Sequence, residues 1–320
     1  MSGPALRIGT RASALALWQA NRVAALIRAQ PGAPAVELVH IRTEGDLRTD
    51  IPLWAAGGRA FFTREIDRAQ LAGEVDIAVH SLKDLSTQLA PGLQLAAVLE
   101  REDPRDALLS RHGATLQDLP TGARVGTSSL RRRAFLSRAR PDLELEELRG
   151  NVPTRVERLQ QGRFDAIVLA TAGLNRLDLA AHIAARIDPS VMPPAVSQGA
   201  IGVCAREGDE PALRWLAALD HAATRLAVTA ERALLRRIEG GCQVPLGALA
   251  TPDGPRLRLI ASVCALDGSR AIDCRDESPL GASPLAQATA LGVRVAEQLL
   301  ARGAADIIAQ QRTPAPGEAP

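Results

Sequence analysis

Three groups of side chains in this chain have types and spacings that could carry chemistry. The first is Thr127-Ser128-Ser129, followed at once by Arg131-Arg132-Arg133. Small hydroxyl residues ahead of a helix present side-chain oxygens and backbone N–H groups at its amino end, a ready anion site. Three arginines in the first turn oppose the helix dipole, so an anion is expected to neutralise them; the other reading is a solvated basic face. Arg149 and Gly150, in Leu148-Arg149-Gly150-Asn151, and Arg155 extend this set, and Arg11 with Ser13 makes a similar junction near the start of the chain. Forked guanidiniums suit a ligand with several carboxylates or phosphates. The second group is His80-Ser81-Leu82-Lys83-Asp84, where Lys83 is the only lysine of the chain. A carboxylate beside a lone ammonium fits a general acid–base pair or a surface ion pair. The third is Cys242, held between Gly240-Gly241 and Gln243-Val244-Pro245, where a loop thiol is more reactive than a buried one.

These residues need elements to position them. Leu6–Gly9 and Val36–Ile41 read as strands, with a helix from Ser13 to about Ala29 between them. Val75–Val79, interrupted only by Asp76, and Ala166–Leu169 read as apolar runs of the buried parallel type, so Lys83-Asp84 follows the carboxyl end of a strand, where α/β folds place ligand groups. Two segments echo each other. Arg7-Ile8-Gly9-Thr10 resembles Arg124-Val125-Gly126-Thr127, and Gly73-Glu74-Val75-Asp76-Ile77-Ala78-Val79 resembles Gly162-Arg163-Phe164-Asp165-Ala166-Ile167-Val168. The first copy is the longer between its landmarks, and the Gly/Arg/Asp/Thr-rich stretch 42–60 accounts for much of the excess. A loop of that length is usually functional or mobile. The pattern is that of two similar α/β domains with a cleft between them. Past Asp220 it changes to a helix over His221–Ile238, two antiparallel strands, Arg256–Ala265 and Ser269–Arg275, around Asp267-Gly268, and a helix from about Pro284 to Ala301. That is a smaller α+β domain, followed by a Pro-rich tail, 313–320, expected to be disordered.

Composition narrows the class. A length of 320 residues suits two or three domains. The net charge of +2 predicts no nucleic-acid partner, and no apolar run is long enough to span a membrane. Four cysteines without CxxC spacing and five histidines without metal-site spacing predict no metal and a reducing, cytoplasmic setting. No signal peptide is visible at Met1–Arg7. No Walker or GxGxxG pattern is present, which disfavours nucleotides.

Taken in order, seven segments resemble the hydroxymethylbilane synthase (porphobilinogen deaminase) family over nearly the whole chain. They are Arg7–Arg11, Asp76–Asp84, Glu102–Ala107, Gly126–Arg132, Leu148–Val152, Gln198–Ala200 and Glu239–Pro245. The resemblance implies two periplasmic-binding-protein-like domains with a central cleft plus a smaller α+β C-terminal domain: residues 1–100 with 196–218, then 101–195, then 219–312. It implies a monomeric transferase that joins four porphobilinogen molecules head to tail, releases ammonia each time, and releases hydroxymethylbilane with water. It also implies a dipyrromethane cofactor joined to Cys242 by a thioether. On the family pattern Asp84 assists loss of ammonia and stabilises the cationic azafulvene. Lys83, Ser129, Arg131 and Arg132, with Thr127 and Ser128, hold cofactor carboxylates. Arg11, Ser13, Arg149, Gly150, Arg155, Arg176 and Gln198 bind cofactor or incoming substrate, and Arg59 and Phe62 belong to a lid over the site. Each ring brings an acetate and a propionate, which suits the arginines.

The chain departs from that pattern in places. Gly57-Gly58-Arg59-Ala60-Phe61-Phe62 stands where the family usually has a lysine-containing stretch, and Ala55 replaces a further lysine. Leu85-Ser86 replaces a proline-containing continuation. Ser197 stands where glycine is usual, and Cys204 where an acid is common. A non-catalytic two-lobed binder of polycarboxylates is the alternative reading; it explains the arginines but has no use for Cys242 or a third domain.

Overall fold

The computed structural model describes residues 5–43, 63–238 and 244–310. Most of the expected lid, including Ala55, Arg59 and Phe62, lies outside the described residues, as do Cys242 and the Pro-rich tail. The chain divides into two compact units: Met1–Asp103 with Ala172–Ala180 and Gln198–Arg225, and Pro104–Thr171 with Ala181–Ser197 and Leu226–Pro320.

Ten strands build one five-stranded sheet in each unit. In chain order they are β1 (Leu6–Thr10), β2 (Val36–His40), β3 (Ile77–Ser81), β4 (Leu93–Val98), β5 (Asp106–Ser110), β6 (Arg124–Gly126), β7 (Glu144–Glu146), β8 (Ala166–Ala170), β9 (Ala185–Arg186) and β10 (Ile201–Arg206). The first sheet runs β2-β1-β3-β10-β4 and the second β7-β6-β8-β5-β9. In the first, β1 is parallel to β2 and β3, and β10 is antiparallel to β3 and β4. In the second, β6 is parallel to β7 and β8, and β5 is antiparallel to β8 and β9. Strand order and direction repeat, so the two α/β parts are alike.

The sequence echo is the covalent trace of that repeat. The Arg7 N–H donates to Asp76 Oδ2 at 2.8 Å, and the Arg124 N–H donates to Asp165 Oδ2 at 2.9 Å. In return the Asp76 and Asp165 N–H groups donate to the Arg7 and Arg124 carbonyls, each at 2.9 Å. Gly9 and Gly126 leave no room for a side chain: a Cβ would stand 3.0 Å from Val75 Cγ2 and 3.0 Å from Phe164 Cδ1, respectively. One difference from expectation follows from these contacts. β3 begins at Ile77 rather than Val75, because Val75 packs against Gly9 while Asp76 is turned to Arg7.

The helices that cover the first sheet are set by their caps and apolar stripes. Ser13 accepts from the Ala16 N–H and starts the helix Ala14–Arg28, whose Ala20, Val23, Ala24 and Ile27 pack with Ile8, Ile77 and Val79. Each fully buried Val or Ile there is worth about 1.5–3 kcal/mol. Pro31-Gly32 prevents continuation, Gly32 having φ +72°.

The second unit also carries a three-stranded antiparallel sheet, β11 (Leu246–Asp253), β12 (Arg256–Cys264) and β13 (Ala271–Pro279). Its core includes Leu257, Leu259 and Val263, packed with Ala230 and Leu234 of the helix Ala222–Arg237 and with Leu291 and Val295 of the helix Pro284–Ala301. The expected turn at Asp267-Gly268 joins β12 to β13, the Gly268 N–H donating to the Ala265 carbonyl. Strand β11 and the final helix Ala304–Gln310 are additions to the sequence reading. No described helix is long and apolar enough to cross a membrane, and among the described residues no group of three His, Cys, Asp or Glu could hold a metal ion.

Candidate active site

In the first unit the expected site residues gather at one edge of the sheet. Arg11 follows the carboxyl end of β1, and Ser13 caps the next helix with an N–H···Oγ distance of 3.3 Å. Beyond the carboxyl end of β3 a 3-10 turn, Leu82–Asp84, carries Lys83 and Asp84. The amino end of antiparallel β10 returns to the same edge, where the Leu82 N–H donates to the Ala200 carbonyl at 3.0 Å. That return brings Gln198 under Lys83, whose Nζ donates to Gln198 Oε1 at 3.2 Å. Asp84 is exposed, and its carboxylate takes part in no ion pair among the described residues, so the surface-pair reading of Lys83-Asp84 is not the arrangement found.

Arg176 also belongs to this unit. Its Nη2 donates to the Gly199 carbonyl at 2.6 Å, and its guanidinium stacks 5.6 Å from the Trp18 ring centroid. Burial pushes its pKa down to about 10, against the opposing charge of Glu102. Gly199 is required where the chain passes Glu102, since a Cβ there would stand 2.3 Å from the Glu102 carbonyl oxygen, and its φ is +91°.

The second unit has the corresponding edge. Thr127-Ser128-Ser129 leaves β6, and Ser129 caps the helix Leu130–Ala139 by accepting from the Arg132 N–H. Ser128 Oγ donates to the Leu148 carbonyl and Thr127 Oγ1 accepts from the Ser129 N–H, so these hydroxyls fix the junction and tie it to the loop bearing Arg149.

The arginines correct part of the sequence reading. The counter-charge expected from a ligand comes in part from the chain itself, through Asp106 at the start of β5. Its fully buried carboxylate accepts from Arg131 Nη2 at 2.7 Å and from Arg132 Nη2 and Nε at 2.8 and 3.0 Å. Arg131 and Arg132 also donate to the Pro193 and Val168 carbonyls, and Arg133 to the Leu145 carbonyl. Two guanidiniums face one carboxylate, which leaves an excess positive charge, and Arg131 Nε is buried with no hydrogen-bond partner. Burial, the largest cause, pulls the Arg131 pKa down despite Asp106.

Arg155 lies in the same region of excess charge. Its Nε donates to the Gly150 carbonyl at 2.7 Å, and Gly150 adopts φ +107°. Burial, then repulsion from Arg132, Arg149 and Arg158, pushes the Arg155 pKa down to about 10, with Glu147 opposing. An anion with several carboxylates would relieve that repulsion.

Sequence reasoning missed three contributors. Asp106 lies in the family-like segment Glu102–Ala107, but nothing in its neighbours announces two arginines far along the chain. Gln19 exchanges hydrogen bonds with Ser81 at 2.9 and 3.1 Å and so braces the Lys83 turn from the helix Ala14–Arg28. Glu231 is buried and accepts the Ser197 N–H at 2.7 Å and the Ala250 N–H at 2.8 Å, fixing the backbone just before Gln198. Ser197 itself has φ +62°, is 1% exposed, and buries Oγ without a partner.

A family model described as porphobilinogen deaminase, dipyromethane cofactor binding domain, matches residues 6–214, and its C-terminal companion matches residues 225–301. The chain belongs to the porphobilinogen deaminase family. It is 49% identical over 309 residues to the porphobilinogen deaminase of Syntrophotalea carbinolica, covering 97% of this chain and 96% of that one. To the Roseiflexus sp. (strain RS-1) porphobilinogen deaminase it is 51% identical over 308 residues, covering 95% and 98%. Likeness to solved structures is slight, as with a Salmonella typhimurium periplasmic binding protein at TM-score 0.36 and 13% identity, covering 68% of this chain and 92% of that one. The repeated strand order, not that likeness, establishes two alike α/β parts.

Porphobilinogen deaminases of this family model bind dipyrromethane, and the residues present fit such a group. The excess positive charge around Asp106, the unpartnered Arg131 Nε and the crowding at Arg155 all favour a polycarboxylate.

Proposed function

We propose that this chain is a hydroxymethylbilane synthase, joining four porphobilinogen molecules head to tail and releasing the linear product by hydrolysis. In each addition the aminomethyl C–N bond breaks and nitrogen leaves as ammonia. A new C–C bond forms at the free α-carbon of the growing chain, which loses its proton. A dipyrromethane held on Cys242 would supply the free α-carbon at which the first ring is added.

The observation that carries the reading is a family match spanning nearly the whole chain onto two corresponding sheet edges, one bearing a carboxylate in no ion pair among the described residues and the other an excess of guanidiniums. Asp84, as a carboxylate, accepts from the substrate's aminomethyl ammonium as ammonia departs and stabilises the cationic carbon left behind. Lys83, fixed by Gln198, places one compact positive charge beside Asp84 for a ring carboxylate. Ser129, Arg131, Arg132, Arg149 and Arg155 hold carboxylates of rings already joined, with Thr127, Ser128 and Gly150 shaping the backbone around them. Arg11, Ser13 and Arg176 orient the incoming ring. Arg59 and Phe62 belong to the lid.

The three-domain division at 1–100 with 196–218, 101–195 and 219–312 is supported by the three sheets. A cytoplasmic setting is supported by Cys204, Cys264 and Cys274 standing as buried thiols, and the reading without a nucleic-acid partner by the net charge of +2.

The test is intact mass. The purified protein should carry two pyrrole units, and brief exposure to porphobilinogen should add further single rings. Cys242→Ser should lack the adduct, whereas Cys204→Ser should keep it. A wild-type chain without the adduct that also adds no ring overturns the reading in favour of a non-catalytic binder.

A further inference from the structure

Trp18 stands on the outer side of the helix Ala14–Arg28, at a position the core does not call for. That helix packs inward through Ala20, Val23, Ala24 and Ile27, and Trp18 lies about 200° around the axis from Ala20. The side chain is 37% exposed, so little of the core depends on it. Helical side chains lean toward the amino end of their helix. Here that end is capped by Ser13 and braced to the Lys83 turn through Gln19 and Ser81. The indole therefore leans toward the functional edge of the first sheet. The group it meets is Arg176, whose guanidinium carbon lies 5.6 Å from the ring centroid.

Arg176 is held in two ways. Its Nη2 donates to the Gly199 carbonyl, which sits between Gln198, the partner of Lys83, and Ala200, whose carbonyl accepts the Leu82 N–H. The fork is thus anchored beside the turn that carries Lys83 and Asp84. One hydrogen bond fixes a point and leaves the plane of the fork free to turn about it. The indole face, which attracts a cation through the ring quadrupole, fixes the plane. Nε and Nη1 have no hydrogen-bond partner among the described residues. A guanidinium pairs with a carboxylate best in its own plane, so whatever sets that plane sets the direction from which a carboxylate is received.

We propose that Trp18 is a positioning residue of the substrate site: its indole face holds the plane of the Arg176 guanidinium, so that the donors left over stay aimed at a carboxylate of the incoming ring. The inference rests on the reading of Arg176 as a group that orients that ring. Trp18 acts through Arg176 and touches no reacting atom, so it governs how well the ring is captured and not how fast the C–N bond breaks.

The test compares Trp18→Leu, which keeps apolar bulk and removes the π face, with Trp18→Phe, which keeps a smaller π face. The proteins are used as purified, with the cofactor they carry. Trp18→Leu should raise the KM for porphobilinogen about fivefold, the factor that a cation–π contact of about 1 kcal/mol supplies, and change kcat by less than about twofold. Its thermal midpoint should stay close to that of the wild type, because the side chain lies outside the core. Trp18→Phe should recover most of the KM. In an Arg176→Lys background, which keeps the charge but has no plane to hold, adding Trp18→Leu should change KM by less than about twofold. If Trp18→Leu fails to fold, Trp18→Met takes its place. An unchanged KM overturns the inference, as does a rise in KM that follows a fall in thermal midpoint. The same fivefold rise in the Arg176→Lys background also overturns it, since Trp18 would then act without Arg176. If the wild type adds no rings, the proposed function falls and this inference with it; a normal wild type with an unaltered Leu variant refutes the inference alone.

Discussion

Replacing Asp106 by Asn asks whether the arginine pair is held by the chain or by a ligand. The native carboxylate accepts three hydrogen bonds from two guanidiniums and is itself fully buried. Asn keeps the shape and one acceptor oxygen, enough for Arg132, but turns an amide N–H₂ toward Arg131 Nη2, donor against donor. It also removes the carboxylate that pairs with both guanidiniums, leaving two buried like charges. The bonds to the Pro193 and Val168 carbonyls survive and soften the loss. Breaking a buried pair from one side costs about 3–5 kcal/mol. With a urea slope of about 2 kcal/mol per M, the midpoint should fall by about 2 M. Replacing all three charges, as Asp106→Leu with Arg131→Met and Arg132→Met, should cost far less than the single variants summed, since no charge is then stranded. Urea melts followed by far-UV circular dichroism make the comparison. A midpoint shift below about 0.5 M for Asp106→Asn corresponds to roughly 1 kcal/mol, the worth of a surface pair, and would refute the internal counter-charge.

Ser197→Gly should raise stability by about 1–2 kcal/mol, because it removes both a left-handed non-glycine backbone and a buried hydroxyl without a partner; thermal melting checks it, and an unchanged midpoint counts against the strain. Asp67→Asn tests a carboxyl whose pKa burial raises to about 6, aided by Glu65 and opposed by the Thr63 hydroxyl. The folded state holds that proton more tightly than the unfolded chain, so wild-type stability should fall as pH rises from about 4 to about 6 and level off above. The Asn variant should lack that slope and be the more stable at pH 7, as melts across the range would show. Lys83→Arg should impair cofactor loading or ring addition although charge is kept, since the fork is wider than the ammonium that fits Gln198; full loading and rate would make the lone lysine an accident of descent. Asp84→Asn should slow single-turnover ring addition by at least about 10²-fold while a preformed tetrapyrrole still loads, and near-normal addition would remove Asp84 from the chemistry.

The parts of the fold legible in the sequence were those with local causes. Strands β1, β3 and β8 announce themselves as apolar runs closed by Gly or polar residues, and the Arg7–Asp76 and Arg124–Asp165 pairs left the same letters at both copies. β3 was displaced by two residues because hydropathy cannot distinguish Val75, packed beside the strand, from residues in its ladder. Strand β11 was hidden by Gly247 and Pro252, which read as breaks. At the site, residue types in short segments were informative and partners distant in sequence were not. Arg131 and Arg132 were visible, but their neutralisation by Asp106 depends on β5 lying beside β8, a fact of topology. Histidine spacing in the sequence speaks only to metal binding, and the unmet bond of a lone buried imidazole such as His80 shows only in three dimensions.

Lys83 has a practical consequence that extends beyond binding. With arginine at every other basic position, the chain presents one side-chain amine and one peptide bond, Lys83–Asp84, to a protease that cuts only after lysine. That bond lies inside a 3-10 turn, with the lysine half-buried and bonded to Gln198. Cleavage therefore requires the turn to open, and its rate measures the opening of this one segment against the background of an otherwise uncuttable chain. The same lysine makes acylation a site-directed label without any engineered residue. A chain with a single lysine thereby carries its own tag at the edge where the proposed chemistry takes place.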